Sequence, residues 1–448
     1  MHLVPVVQGP YPAGTPSLLT TLTLENWKSF GQATLYVDPL TVLIGTNASG
    51  KSNLLDALAF LNRVANGVSL TAALRGDGAL TPLRGGVEWA ARKPGTHFSI
   101  ATTIRADAEW DYHYRLECVA TQGQCDLVSE RLEHIRYDIE GSGVRGKEVE
   151  RVPLFWSEPT TQSTREMMTV AFHIPGRRKP LSPSRVMAQL GSRSGVALFQ
   201  LTSHGLIPET QDGSNAVISA LQSIFILDPI PSHMRGFTLL SDRLDTDGGN
   251  IAGVLAALPG DRREAIEKKL TEYASRLPER DIVRVYAETV GKLNTDAMLY
   301  CEEAFGDAGE PSTVDARGMS DGTLRFLAIL TALLTRPEGS LLVVEEVDNG
   351  LHPSRSRVLL DMLNTIGRER NIDVIVTTHD PALLDAMGTE MVPYITVVHR
   401  DPANGTSCLT LLEDITQLPK LLAQGQVGRL SSQGLIEAAL KAQSAGAG

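Results

Sequence analysis

Apolar and polar residues alternate twice near the start of the chain, which predicts two short strands joined by a turn at Ser29–Gln32. The apolar positions are Leu22, Leu24 and Trp27, followed by Ala33, Leu35 and Val37. The apolar run Leu40–Ile44 predicts a strand buried on both faces. After a glycine-bearing loop, apolar residues recur at helical spacing. They are Leu54, Leu55, Leu58 and Leu61.

The middle of the chain shows two patterns. Several β-like runs separated by polar and glycine-rich turns predict an antiparallel region, and they are His97–Ile104, Tyr112–Val119, Leu127–Tyr137 and Met167–Ile174. From Pro183 to Phe305 the pattern is mostly helical with proline breaks, and it includes a helix at Ile251–Ala257. The chain shows neither a sustained heptad repeat nor an internal repeat of fixed period.

The last third alternates between helical and strand patterns, which predicts a parallel sheet. The expected strands are Leu341–Val344, Ile372–Val376 and Ile395–Val398. One intervening helix has its apolar face at Leu324, Leu327, Ala328, Thr331 and Leu334. A second has its apolar face at Val358, Leu359, Met362, Leu363 and Ile366. A short amphipathic helix is expected at Ser431–Ala442.

Charge and composition restrict the classes of function. The 448 residues include 52 acidic and 41 basic side chains, a formal net charge of -11. This balance argues against a protein that coats nucleic acid by bulk charge, although a local basic groove stays open. Two basic clusters exist, and a solvated face is the favoured interpretation of both. They are Arg177, Arg178 and Lys179, and Arg262, Arg263, Lys268 and Lys269.

Localisation and thiol state follow from simple patterns. The proline-bearing segment 1–17 lacks a basic start with an apolar core, so it is interpreted as a flexible lead-in and not a signal peptide. The sequence contains no apolar stretch of membrane-spanning length, and a cytoplasmic protein without membrane contact is expected. The four cysteines have no metal-ligand spacing and are expected to be reduced.

The strongest chemical signal is the sequence from Gly45 to Ser52, which fits G-x-x-x-x-G-K-[ST] between a predicted buried strand and a predicted helix. Small residues let consecutive backbone N–H groups point inward at phosphate oxygens, and the helix N-terminus adds partial positive charge. The residues expected to bind nucleotide are Gly45, Thr46, Asn47, Ala48, Ser49, Gly50, Lys51, Ser52 and Asn53. Lys51 would reach the β- and γ-phosphates, and Ser52 would ligate Mg²⁺.

Three further elements are weak alone and gain weight from the phosphate loop. The apolar strand that precedes Glu345 and Glu346 ends in two carboxylates, suited to a metal-bound water and a general base. Met319–Thr323 starts a helix, with Ser320 as a plausible N-cap and Gly322 leaving room for close approach. His379 follows a strand, where a lone histidine is more often structural.

The order of these four elements resembles the ABC-type ATPase family, in its RecF and structural-maintenance-of-chromosomes (SMC) branch. The opening Leu24–Phe30 is similar to the start of that branch, and Glu345–Pro353 is similar to a subgroup of predicted AAA-family ATPases related to OLD-type proteins. The resemblance covers about residues 20–62 and 318–386. It implies an α/β P-loop NTPase fold of the ABC-ATPase head type, in two lobes, with an antiparallel β and helical insertion.

The resemblance also implies domain limits. Residues 18–62 and 336–448 would form the nucleotide-binding α/β lobe. Residues 63–180 would form the β-rich part of the insertion, and residues 181–335 a helical lobe that ends in the signature helix.

In this family two heads dimerise head to tail around two ATP molecules, which implies a role for each matching residue. Ser320 and Gly322 would contact the γ-phosphate of the ATP held by the partner head, and Asn349–His352 would form a loop that crosses the dimer interface. Glu345 takes the magnesium position and Glu346 the general-base position. His379 takes the position of the histidine that senses the γ-phosphate.

The chain departs from the family pattern at two positions. Glu345 stands where aspartate is commoner, and Asp321 puts a negative charge near a developing anion. The glutamine that links the two lobes has two candidates, Gln122 and Gln124, in an expected hairpin.

Two functions remain open at this stage. The first is a cytoplasmic ATPase whose ATP-dependent dimer gates a DNA-directed or effector partner, in DNA repair or anti-phage defence. The second is a nucleotide-sensing scaffold or inhibitory module with little turnover. A transporter ATPase is disfavoured by the motif spelling, and the 69 residues after His379 are too few for an added nuclease domain, so any nuclease is expected on a separate polypeptide.

Overall fold

The computed structural model describes residues 18–78, 80–139, 145–158, 168–172, 188–190, 198, 208–278, 282–304 and 311–446. The described chain divides into two compact units. The first comprises the chain up to Val37 with Asn47–Ile224 and His399–Leu409. The second comprises Asp38–Thr46, Phe225–Val398 and the chain from Thr410.

The first unit contains an eight-stranded sheet with the order β2-β1-β4-β5-β6-β7-β8-β9. Neighbouring strands in it pair antiparallel, as predicted for this region. The strands are β1 (Leu18–Glu25), β2 (Gln32–Tyr36), β4 (His97–Arg105), β5 (Trp110–Thr121), β6 (Gln124–Ile139), β7 (Arg145–Glu158), β8 (Met168–Phe172) and β9 (Ala188–Leu190).

Strand β7 was missed by pattern reasoning because charged residues interrupt its apolar positions. Its charged residues are paired. Arg151 contacts Glu133 across the sheet on β6 at 2.7 Å, and it contacts Glu148 along its own strand at 2.9 Å. Cross-strand ion pairs of this kind stabilise a strand that apolar alternation alone does not reveal.

Three helices pack in the first unit, and they are α1 (Lys51–Ala65), α2 (Leu70–Arg75) and α3 (Pro208–Gln222). The core beside α1 is aromatic. The Trp27 ring lies 5.1 Å from Phe98 and 5.7 Å from Phe60, between ring centroids. The Asn62 amide on α1 donates to the carbonyl oxygens of Leu221 and Ile224 at the end of α3. These contacts fix the helix that begins with Lys51.

The predicted parallel sheet is confirmed. Its strand order is β10-β15-β16-β3-β17-β18, and β15, β16, β3 and β17 pair in parallel. The strands are β3 (Leu40–Ile44), β10 (Ile224–Leu227), β15 (Leu341–Val344), β16 (Asp373–Thr377), β17 (Ile395–Arg400) and β18 (Ser407–Leu411). Strands β3, β15 and β16 are buried throughout, because helices cover a parallel sheet on both faces.

The second unit also contains most of the helices. They are α4 (Ile251–Ala257), α5 (Gly260–Ala274), α6 (Asp321–Thr335), α7 (Ser356–Glu369), α8 (Pro381–Met387), α9 (Leu418–Leu422), α10 (Val427–Ser432) and α11 (Leu435–Gly446). Helix α4 occupies the predicted residues, and α11 begins four residues later than Ser431. Helix α6 is buried on nearly all sides, and not only on the predicted face, because it packs against both α5 and α7.

The expectation of a mostly helical segment up to Phe305 was wrong over its last part. Residues there form a four-stranded antiparallel sheet, β11-β13-β12, with β14 also on β13. Its strands are β11 (Thr238–Leu239), β12 (Ile282–Val290), β13 (Asp296–Glu303) and β14 (Ser312–Asp315). Strand β12 contains five β-branched residues and a tyrosine, residue types that favour a pleated, half-buried surface.

Side chains of α5 cover the edge of β12. The backbone N–H groups of Val285 and Ala287 donate to Thr271 and Glu267. Arg263 donates to the carbonyl oxygen of Ala287 and pairs with Glu267 at 2.9 Å. This part of the predicted basic cluster is therefore engaged in the fold, whereas Arg177, Arg178 and Lys179 lie outside the described residues.

Among the described residues, no helix is long and apolar enough to cross a bilayer. All four cysteines are free thiols, and Cys118, Cys125 and Cys301 are buried.

Candidate functional site

The loop Gly45–Gly50 joins β3 to α1, as the sequence predicted. Three of its residues have a positive φ: Gly45 at 149°, Ala48 at 64° and Gly50 at 122°. Backbone that changes hand repeatedly turns successive N–H groups toward one side and forms an anion-binding concavity. In the described helix α1, Gly50 caps the N-terminus without a side-chain hydrogen bond, and the first turn contains no acidic residue. The helix N-terminus therefore keeps its full attraction for an anion.

The β17–β18 hairpin, of which the sequence predicted β17 but not β18, supports this loop through two hydrogen bonds. The Ser407 hydroxyl donates to the carbonyl oxygen of Ser49 at 2.5 Å, and Arg400 Nε donates to the carbonyl oxygen of Ala48 at 3.0 Å. A Cβ at Gly50 would lie 2.5 Å from Ser407 Oγ. Glycine at position 50 is therefore required by both the contact and the backbone angle.

Ser29 connects the loop support to α1. Its hydroxyl oxygen lies 2.8 Å from Ser407 Oγ and accepts from the Asn53 amide at 2.7 Å. The Trp27 indole N–H donates to the carbonyl oxygen of Asn53 at 2.7 Å. The structure thus uses the Asn53 amide to fix the first turn of α1 against the β1–β2 turn.

Lys28, next to Ser29, forms a buried ion pair with Asp56 of α1. Its Nζ lies 2.5 Å from Asp56 Oδ2 and donates to the carbonyl oxygen of Arg84 at 2.7 Å. Only 4% of the Lys28 side chain is exposed. Burial lowers the pKa of Lys28 despite the attraction of Asp56. The pair ties α1 to the N-terminal hairpin.

The carboxylates predicted after β15 lie where that strand ends. Glu345 is half-buried, and its N–H donates to the carbonyl oxygen of Leu227 at 3.3 Å. Glu346 is exposed at φ 48°, and its N–H donates to the Thr377 hydroxyl at 2.7 Å. A non-glycine residue at positive φ is uncommon and clusters at functional sites. The bond to β16 fixes the backbone that presents Glu346 to solvent.

His379 follows β16, and its side chain is 59% exposed. Its Nδ1 lies 3.9 Å from Asp348 Oδ2. The other oxygen of Asp348 is buried and has no hydrogen-bond partner within the described part of the chain. His379 is therefore free to reorient toward a ligand, whereas the neighbouring Asp380 caps α8 by accepting from Ala382.

The expected cap and close approach at the start of α6 are both present. Ser320 Oγ accepts from the Thr323 N–H at 3.1 Å. A Cβ at Gly322 would lie 2.5 Å from the carbonyl oxygen of Gly350 and 2.9 Å from Arg355 Nη1. Gly350 belongs to the short segment 346–350. In that segment the Asn349 amide lies 3.4 Å from Glu346 Oε2. Within the second unit, this segment therefore contacts Gly322 at one end and contains Glu346 at the other.

The predicted site residues fall into two groups. Asn47–Asn53 belong to the first unit, while Ser320, Gly322, Glu345, Glu346 and His379 belong to the second, with Gly45 and Thr46. Gln122 lies in the β5–β6 turn at φ 52°, and Gln124 begins β6. Both glutamines are exposed.

The residues present fit a magnesium nucleotide. The loop's positive φ angles at Gly45, Ala48 and Gly50, and the Lys51 ammonium that follows, suit a polyphosphate. Ser52 in the first unit offers a hydroxyl oxygen and Glu345 in the second offers a carboxylate oxygen, both of which are ligand types that Mg²⁺ prefers. The described residues contain no group of three or more His, Cys, Asp or Glu side chains that would hold a metal alone. A cation here would need phosphate oxygens and water as further ligands.

Comparison with known proteins gives a family match over more than half of the chain. The model described as "AAA domain, putative AbiEii toxin, Type IV TA system" matches residues 40–181 and 262–385. The methionine import ATP-binding protein MetN of Bradyrhizobium diazoefficiens is 32% identical over 74 residues, which is 16% of this chain. The matched part spans only 21% of that protein.

Solved structures similar to this chain include heads of SMC proteins. An SMC head bound to the C-winged helix domain of ScpA is 15% identical, with a TM-score of 0.49 over 88% of this chain and 97% of that one. The SMC head domain from Thermotoga maritima is 13% identical, with a TM-score of 0.41 over 88% of this chain and 98% of that one.

Proposed function

The chain belongs to this AAA-domain family of ATPases, and from that premise we propose that it binds and hydrolyses ATP as an ABC-type head. The observation that carries the proposal is the loop Gly45–Gly50, with its three positive φ angles and its carbonyl oxygens held from behind. Arg400 and Ser407 fix the carbonyl oxygens of Ala48 and Ser49, which holds the loop in a backbone shape suited to an anion.

Each residue then has a role that its surroundings support. Lys51 neutralises the β- and γ-phosphates from the first position of α1. Ser52 and Glu345 hold Mg²⁺, which neutralises phosphate charge when bound. Glu346 accepts a proton from the attacking water. Its exposed carboxylate and its backbone bond to Thr377 suit that role. His379 senses the γ-phosphate.

We further propose that two copies close head to tail around two ATP molecules. Ser320 and Gly322 of one copy would then complete the site that contains Lys51 of the other. The contact between Gly322 and Gly350 supports this proposal, because it lets the signature segment respond to the loop after Glu346. A dimer that forms only with ATP would gate a separate effector or nuclease, or a DNA-directed partner, in repair or anti-phage defence.

The test is the mass of Glu346→Gln in solution, measured by light scattering with and without ATP and Mg²⁺. This variant should retain ATP, lose turnover and double its mass when ATP is added. Lys51→Ala is the matched control and should remain unchanged in mass. Tight ATP binding at constant mass, together with a wild-type protein that does not turn over, would replace this function with a nucleotide-sensing scaffold.

A further inference from the structure

Arg235 forms several hydrogen bonds with the segment that leads into α6, the helix that begins with the predicted signature residues. It ends the 3-10 turn Pro231–Arg235. Its Nη1 donates to carbonyl oxygens in the segment 316–319, which immediately precedes Ser320 and α6. Its Nη2 lies 2.5 Å from Asp321 Oδ1. The carbonyl partners are Ala316 at 3.1 Å, Arg317 at 2.8 Å and Met319 at 2.9 Å. The guanidinium thus contacts both residues that flank Ser320.

The carbonyl bonds distinguish this contact from an ordinary surface ion pair. Arg235 is 30% exposed and Asp321 is 67% exposed, and such a pair contributes little by itself. Three carbonyl oxygens that converge on one planar, charged donor define the path of the chain before Ser320. Lysine, a point charge, cannot reproduce that geometry.

The turn that carries Arg235 is itself anchored. His233 Nδ1 lies 2.8 Å from Asp247 Oδ2, and the Gly249 N–H donates to Asp247 Oδ1 at 2.8 Å. A Cβ at Gly248 would lie 3.2 Å from Ala328 of α6. The segment around Asp247 therefore connects the Arg235 turn to the body of the helix whose N-terminus Arg235 holds.

Asp321 explains why a cation is needed at this place. Its carboxylate stands between Ser320 and Gly322, the two residues assigned to the γ-phosphate of a partner head. An uncompensated carboxylate there would repel the phosphate. The positive charge of Arg235, 2.5 Å from Asp321 Oδ1, offsets that repulsion.

We propose that Arg235 is a positioning residue for the trans-acting signature, since it orients Ser320 and neutralises Asp321. This inference rests on the head-to-tail arrangement proposed above. The hydrogen bonds of Arg235 described above all go to residues 316–321, so its loss should affect turnover and leave ATP binding to Lys51 of the same chain unchanged.

Single variants give the first test. Arg235→Ala should lower kcat about tenfold or more, the effect of losing a charged hydrogen-bond network, while the Kd for ATP of the single head stays constant. Arg235→Lys should recover only part of that loss. Adding Asp321→Asn to Arg235→Ala should raise kcat, because it removes the uncompensated charge. If Arg235→Ala melts well below the wild type, Arg235→Gln, which retains an amide donor, takes its place.

Mixing two impaired variants gives the decisive test. In a heterodimer of Lys51→Ala with Arg235→Ala, one composite site has both defects and the other has none. Random pairing at equal amounts should therefore restore about one quarter of wild-type activity. A defect of Arg235 that acted within its own head would leave the mixture no more active than Arg235→Ala alone.

A second mixture distinguishes a failure of the head-to-tail arrangement from a failure of the role proposed for Arg235. Lys51→Ala mixed with Ser320→Arg, which blocks the signature itself, should recover to the same extent. Recovery in the Ser320 mixture without recovery in the Arg235 mixture overturns the role of Arg235 alone. No recovery in either mixture overturns the head-to-tail arrangement and this inference with it. Full activity of Arg235→Ala by itself also overturns the inference.

Discussion

The Ser407 hydroxyl donates to the carbonyl oxygen of Ser49 at 2.5 Å, although 358 residues separate them in sequence. The same hydroxyl oxygen lies 2.8 Å from Ser29 Oγ, and the Ser407 N–H donates to the Ser29 carbonyl oxygen at 2.8 Å. One side chain thus joins the phosphate loop, the N-terminal hairpin and the β17–β18 hairpin. We infer that it acts as a brace for the nucleotide site.

Removing that brace should weaken ATP binding. Ser407→Ala deletes the bond to Ser49, and a hydrogen bond contributes about 1 kcal/mol, so we expect the Kd for ATP to rise about fivefold. Titration calorimetry measures this directly. The matched control is Ser432→Ala, whose exposed hydroxyl bonds only a neighbouring carbonyl oxygen in its own helix. Equal affinity of the two variants would contradict the brace.

The close contact at Gly322 should make the signature intolerant of any side chain. In Gly322→Ala the new Cβ would lie 2.5 Å from the Gly350 carbonyl oxygen, a backbone atom that cannot simply rotate away. We expect ATP binding to persist and kcat to fall at least tenfold, which a steady-state assay with parallel binding measures. Gly260→Ala, which meets open space, is the control and should behave as wild type. Normal turnover of Gly322→Ala would show that the Gly350 contact has no role in catalysis.

The buried pair of Lys28 and Asp56 should be important for stability. Asp56→Asn leaves the buried ammonium without its counter-charge, and breaking a buried pair this way costs about 3–5 kcal/mol. Urea unfolding measures the loss, with exposed Asp242→Asn as control. Because Lys28→Met with Asp56→Asn removes both charges, the double variant should recover part of the free energy of unfolding. A double variant less stable than Asp56→Asn would contradict this explanation.

Stability should fall on mild acidification because of two half-buried histidines. Burial lowers the pKa of His113, aided by Arg151, and it lowers the pKa of His134, whose ring is stacked 4.0 Å from Trp110. Since both folded-state pKa values lie below the ordinary 6.5, the unfolded chain binds protons first. The free energy of unfolding is therefore highest above pH 6.5, decreases as pH falls through that value, and levels off below the folded pKa values.

The double variant His113→Gln, His134→Gln tests the origin of this slope. Its melting temperature should depend less on pH in the window below 6.5 than that of the wild type. His97→Gln on the neighbouring strand is the control, because His97 is exposed. An unchanged slope in the double variant would assign the acid sensitivity to other groups.

Local patterns predicted the elements that carry the candidate site. The run Leu40–Ile44 and the apolar spacing from Leu54 predicted β3 and α1, and the strand before Glu345 was equally clear. The pattern was misread over β12, where β-branched residues occur among charges, and over β13, whose apolar positions lie between acidic residues at both ends. There, packing of the sheet against α4 and α5 decided the structure, and no local period reveals which neighbour a segment meets.

The sequence by itself determined the residues available for chemistry: a G-x-x-x-x-G-K-S loop ending in Lys51 and Ser52, two carboxylates after a strand, and a serine at the start of a helix. These features depend on residue type and short spacing, both of which can be read from the sequence. Only the tertiary structure decided that Ser407 bonds Ser49, that Gly322 lies against Gly350, and that Arg235 pairs with Asp321. Each of those contacts joins residues that are distant in sequence and meet only when packing fixes their backbones.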